Sequence, residues 1–138
     1  MARDKRRIAP DDTDTDGWAV MKNRFEAPRA EDLVELGVVV EPSDEPGVIS
    51  VSAWASDSDF VTVSWDEVAG SVSVRWMGGG TARVTIEREL VSVVSVGRHD
   101  TSVEFRIRSS WGGLGGQLVV TVGEHISVTD TVLRAWDA

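Results

Sequence analysis

Alternation with a period of two runs through most of this chain and leaves little freedom over what it can fold into. Apolar residues recur at every second position in Val61–Val63–Trp65, Val72–Val74–Trp76, Val84–Ile86, Val103–Phe105–Ile107 and Leu118–Val120–Val122. Between them fall Thr62, Ser64, Ser73, Arg75, Thr85, Glu104 and Arg106. A strand turns successive side chains to opposite faces, so each run has one dry face and one wet face. Turn-forming clusters separate the runs at ASDSD, DEVAG, MGGG, GRHD, GGLGG and GE. The cadence, roughly 10–12 residues per strand, is that of an antiparallel meander. The expected fold is mainly β: a sandwich or small barrel of about seven or eight strands with a short N-terminal helix.

The helix is expected near 28–37, in PRAEDLVELG. Pro28 suits a first turn, Glu31 and Asp32 favour the positive end of the helix dipole, and Gly37 suits the stop. Its Ala30, Leu33, Val34 and Leu36 would cover one side of the sheet system. Strands are expected from 38 onward, so residues 18–138 read as a single mainly-β domain, preceded by a flexible arm over 1–17. Leu90 to Val96 is apolar on both faces, which predicts a central strand or one covered from outside.

Three short runs, SVSAW, VTVSW and VSVRW, place Trp54, Trp65 and Trp76 eleven residues apart. The period then stops, so these are three successive hairpin strands and not a repeat array. Trp65 and Trp76 keep the parity of the apolar residues in their runs. Trp54 breaks it, because Val51 and Ala53 are the apolar set there and Trp54 shares parity with Ser50 and Ser52. Without a bulge, Trp54 stands on the wet face, where a large aromatic is a candidate contact residue.

The net charge is −9, spread unevenly. Residues 1–9 are basic, residues 10–46 carry eleven acids against three bases, and residues 47–138 carry eleven acids against seven arginines. Such a chain repels phosphate backbones, which argues against nucleic acid, and it attracts a basic protein. No run approaches the roughly 20 apolar residues of a membrane span. The basic N-terminal residues lead into no apolar stretch of the secretory kind. Cysteine is absent, which removes disulfides and thiolate zinc sites and fits a cytoplasmic location.

Asp12, Asp14, Asp16 and Gly17 resemble the first half of a calcium loop, which needs a bidentate glutamate to close it. The closing position is Asn23, and Glu26 comes three residues late. The expectation is therefore a solvated acidic segment, a landing strip for a basic partner, with no metal. His99 and His125 fall in separate turns without ligand spacing around them. No nucleophile elbow is present, and the glycines of MGGGT and WGGLGGQ lie between strands, where hairpin turns explain them better than a phosphate cradle. SSWGGLGGQ is long for a simple turn, which makes Trp111 at its mouth a second candidate contact. Arg75, Arg83, Arg106 and Arg108 on polar strand positions suggest a mixed-charge docking face.

These readings converge on a non-enzymatic protein-interaction domain without cofactors. Its expected contacts are Trp54, Trp111, Asp12, Asp14, Asp16, Arg75 and Arg106. Small, acidic inhibitors such as the immunity partners of toxins share this profile, by analogy of composition alone. The alternative is a ligand-binding barrel or sandwich whose exposed tryptophans stack on an apolar molecule or a sugar.

Overall fold

The computed structural model describes residues 25–111 and 114–134, so Asp12, Asp14, Asp16 and the expected arm lie outside the described residues. Among the described residues one short helix, α1 (Ala30–Val34), precedes nine strands. These are β1 (Val39–Pro42), β2 (Val48–Trp54), β3 (Phe60–Asp66), β4 (Ser71–Gly78), β5 (Thr81–Arg88), β6 (Val91–His99), β7 (Ser102–Trp111), β8 (Leu114–Val122) and β9 (Ile126–Arg134). All neighbours are antiparallel. β1 to β5 form one sheet in chain order and β6 to β9 form a second. The arrangement is that of an all-β sandwich. No helix among the described residues is long and apolar enough to cross a membrane.

The alternation read from the sequence sets the core. Val51, Val61, Val63, Trp65 and Val74 of the first sheet and Phe105, Ile107, Leu118 and Val120 of the second are buried in one cluster. Burying each such side chain contributes roughly 1.5–3 kcal/mol. Trp76, expected fully inside, is only half-buried: it lies near the end of β4, beside an irregularity in its pairing with β5. Its indole reaches the rim and donates from Nε1 to Asp59 Oδ2 at 2.9 Å.

Nine strands exceed the expected number because β9 was hidden. Ile126 and Val128 begin an apolar alternation, but the next position of that parity is Asp130. Asp130 pairs in register with the buried Leu118, so it occupies the core-facing side of an edge strand, and there it meets Arg88 of β5. The chain passes from the first sheet to the second at Leu90, which is exposed and holds φ +59°.

β6 is an edge strand and not a central one. The apolar run on both parities is explained by the register shift between Val91 and Val93, which buries Val91 and Val94 alike. The edge of β6 is bridged in parallel by Glu26, which donates from its backbone N–H to Ser92 O at 2.9 Å and accepts from Val94 N–H at 2.8 Å. Phe25 and Ala27 then pack against the core. The helix is shorter than expected, lacks a side-chain N-cap and buries Leu33 alone, while Val34 is exposed and Leu36 is partly covered. Arg98 of β6 donates to Leu36 O at 2.6 Å, tying the segment after α1 to the second sheet. One side of the sandwich is thus closed by the segment 25–37. The other side, between β5 and β9, carries the Arg88–Asp130 pair.

Candidate functional site

The outer face of the five-stranded sheet is built by the residues that the core parity leaves over. The β2–β3 ladder runs without a bulge from Val48↔Asp66 to Trp54↔Phe60. Ala53 therefore points inward and Trp54 outward, and Trp54 is 55% exposed. The same parity brings Phe60 and Met77 to the outer face, because Trp54 pairs with Phe60, Phe60 with Met77 and Met77 with Ala82. An apolar row therefore crosses one end of the sheet. Its first two members stack, with ring centroids 5.3 Å apart and planes 24° from parallel.

Behind that row the face is small and hydroxylic. Ser52, Thr62, Arg75 and Thr85 form the next row, then Ser50, Ser64, Ser73 and Glu87. The hydroxyls bond across the strands, Ser50 to Ser64 at 2.7 Å and Ser52 to Thr62 at 2.8 Å. Such pairs satisfy one another and leave a low, even floor. A shallow concavity of about 400 Å³ opens over Phe60, Thr62, Ser64, Ser73, Arg75 and Met77.

The loop between β2 and β3 is fixed beside the apolar row. Asp59 accepts from Trp76 Nε1 and lies 3.4 Å from Arg83 Nε. Asp57 Oδ1 accepts from the Asp59 backbone N–H at 3.0 Å, and its Oδ2 meets His125 Nδ1 at 3.1 Å. The Asp59 amide, then His125, holds the Asp57 carboxyl below its ordinary value. Ser56 donates to Gly123 O at 3.0 Å, so the loop also leans on the β8–β9 turn of the other sheet.

The remaining expected contacts are dispersed. Arg106 stands on the opposite outer face, on β7, where Glu104 lies 3.4 Å from it and 3.1 Å from His99 Nε2. Arg108 shares that face through Gln117 at 3.4 Å. The single arginine face expected from the sequence is therefore two faces, with Arg75 on one and Arg106 and Arg108 on the other. Trp111 lies at the far end of the second sheet, paired in backbone with Leu114, and its side chain is outside the described residues. That pairing leaves only residues 112–113 to connect β7 and β8, so SSWGGLGGQ is mostly strand and not a long loop. The MGGGT turn is as expected, with Gly79 and Gly80 at φ +61° and +80°. Among the described residues no group of three or more His, Asp or Glu is placed to hold a metal.

Phe60 and Met77 were not singled out from the sequence, although the signal was present. Phe60 shares parity with Thr62 and Ser64, and Met77 with Arg75 and Ser73, the same break of pattern that marked Trp54.

No family model matches the chain, and no curated protein matches it. Among solved structures it is similar to a chain of a contact-dependent growth inhibition toxin–immunity protein complex from Klebsiella pneumoniae 342. The TM-score is 0.66 at 11% identity, covering 82% of this chain and 100% of that one. At that identity the likeness is one of fold.

Proposed function

We propose that this chain is a non-enzymatic protein-interaction domain of the immunity type, which holds a basic partner against the outer face of its five-stranded sheet. The observation that carries the reading is the outward-facing row of exposed Trp54 and half-buried Phe60 and Met77 beside a floor of short hydroxyl side chains. Aromatic anchors set in surroundings that allow close approach are where interfaces concentrate their energy. A flat sheet face offers a protein partner area that a buried pocket does not. The net charge of −9 favours a basic partner and a fast encounter. The structural neighbour belongs to a complex of a toxin with its immunity protein, and this supports a partnered role for a chain of the same fold.

Capture from native lysate at low salt tests the reading, followed by binding measurements on the purified partner. A basic protein should be retained, should be released as salt rises, and should be neutralised when it is toxic on expression. Retention of no protein, or of one indifferent to Trp54→Ala, would refute the proposal. A second reading rests on the concavity over Phe60 and Met77, whose volume falls in the range of small-molecule sites. A ligand stacked there would bind independently of salt and shift the indole fluorescence.

A further inference from the structure

The concavity over the apolar row does not end at the hydroxyl floor. A second one, of about 240 Å³, begins at the same Ser64 and Ser73 and continues toward the β3–β4 turn. The two share these serines, so together they form one trough along β3 and β4. β3 runs from Phe60 to Asp66, a length of about 20 Å at roughly 3.4 Å per residue. The two ends differ in chemistry. Phe60 and Met77, flanked by Trp54, line one; Glu45, Asp66, Glu87 and Glu89 line the other, over a base of Val48, Trp65 and Val72. Arg75 stands partway along. Arg88, which also lines the acidic end, is engaged by Asp130.

We propose that this trough seats an extended segment of the partner protein, with a bulky apolar side chain at the Phe60 end and a lysine or arginine at the Glu87 end. The inference rests on the docking function proposed above and adds the polarity and chemistry of the partner's segment. Charge complementarity selects the occupant. A second copy of this chain, also at −9, would bring acid against acid. A small molecule confined to one concavity would leave the other half of the trough unfilled. An extended chain of about six residues matches the length, and its backbone carbonyls give Arg75 an acceptor. The short serine side chains at the midpoint let that backbone come close.

The test pans immobilised full-length protein against displayed random dodecapeptides. The strongest binders are then synthesised and titrated against four forms: wild type, Phe60→Thr, the triple variant Glu45→Gln/Glu87→Gln/Glu89→Gln, and Arg106→Gln on the opposite face. Enriched peptides should place an aromatic or large aliphatic residue about four to six positions from a lysine or arginine. Phe60→Thr and the triple variant should each weaken binding roughly tenfold, the latter only at low salt, and Arg106→Gln should change nothing. Thermal melts of each variant exclude unfolding as the cause. Peptides lost with Phe60→Thr but indifferent to the triple variant overturn the polarity while leaving the docking face intact. Peptides that depend on Arg106 and not on Phe60, or a library that yields no Phe60-dependent binder, overturn both.

Discussion

Arg88 and Asp130 meet across the open side of the sandwich, each from the core-facing parity of an edge strand. Inward-pointing charge is one of the ways in which sheet edges resist pairing with other chains. Because the two side chains are a third to nearly half exposed, the pair itself contributes little, about 0–1 kcal/mol. Asp130→Val should therefore leave the melting temperature nearly unchanged while extending the apolar alternation of Ile126 and Val128. The expected outcome is concentration-dependent self-association by light scattering. A variant that stays monodisperse would show that this edge is protected by something else.

Trp65 is buried with its indole N–H unpartnered, the one such side-chain nitrogen or oxygen among the described residues. Trp65→Phe removes a donor that makes no bond, and the relief offsets much of the volume lost. It should change stability in urea by about 1 kcal/mol or less, whereas Trp65→Ala and Phe105→Ala should each cost about 3–5 kcal/mol. A Trp65→Phe loss as large as that of Trp65→Ala would mean that the indole N–H is bonded after all.

Gly78 has no room for a side chain. A Cβ there would overlap the Arg83 guanidinium first and would lie 2.7 and 2.8 Å from the oxygens of the Asp59 carboxylate that Arg83 pairs with. Gly78→Ala should push Asp59 off the Trp76 indole, cost roughly 1 kcal/mol and red-shift the fluorescence of the exposed ring. An unshifted spectrum would show that Asp59 keeps its place.

Asp57 gives a pH dependence whose sign follows from its depressed carboxyl. The charged form is favoured in the folded state, chiefly by the Asp59 amide and then by His125. Its contribution is therefore fully present above the ordinary value of 3.8 and is lost as pH falls from there through the lower folded value. Asp57→Asn should flatten that part of the acid limb in melting temperature against pH. His125→Gln should flatten it in part, since the Asp59 amide still holds the carboxylate. An acid limb identical to wild type in Asp57→Asn would remove Asp57 from the account.

The parity of the sequence was enough to place the core and to turn Trp54 outward, because an uninterrupted antiparallel ladder preserves alternation from end to end. It failed where tertiary contacts overrode local pattern. Asp130 broke the alternation of β9 because its partner Arg88 lies 42 residues away. β6 read as central or covered because a register shift between Val91 and Val93, invisible in the sequence, turns both Val91 and Val94 inward. Arg75 and Arg106 looked alike in sequence, since nothing local reveals that the chain changes sheets at Leu90. The acidic end of the trough was illegible for the same reason: Glu45, Asp66, Glu87 and Glu89 come from three separate stretches.

If Trp54 serves binding and not folding, the dissociation constant of Trp54→Ala for the captured partner will separate the two roles. Trp54 is exposed, so its removal should leave the fold within about 1 kcal/mol of wild type by urea titration. The same variant should lose roughly 2 kcal/mol of binding, about thirtyfold in the dissociation constant. An unchanged dissociation constant in a folded Trp54→Ala protein would contradict the account.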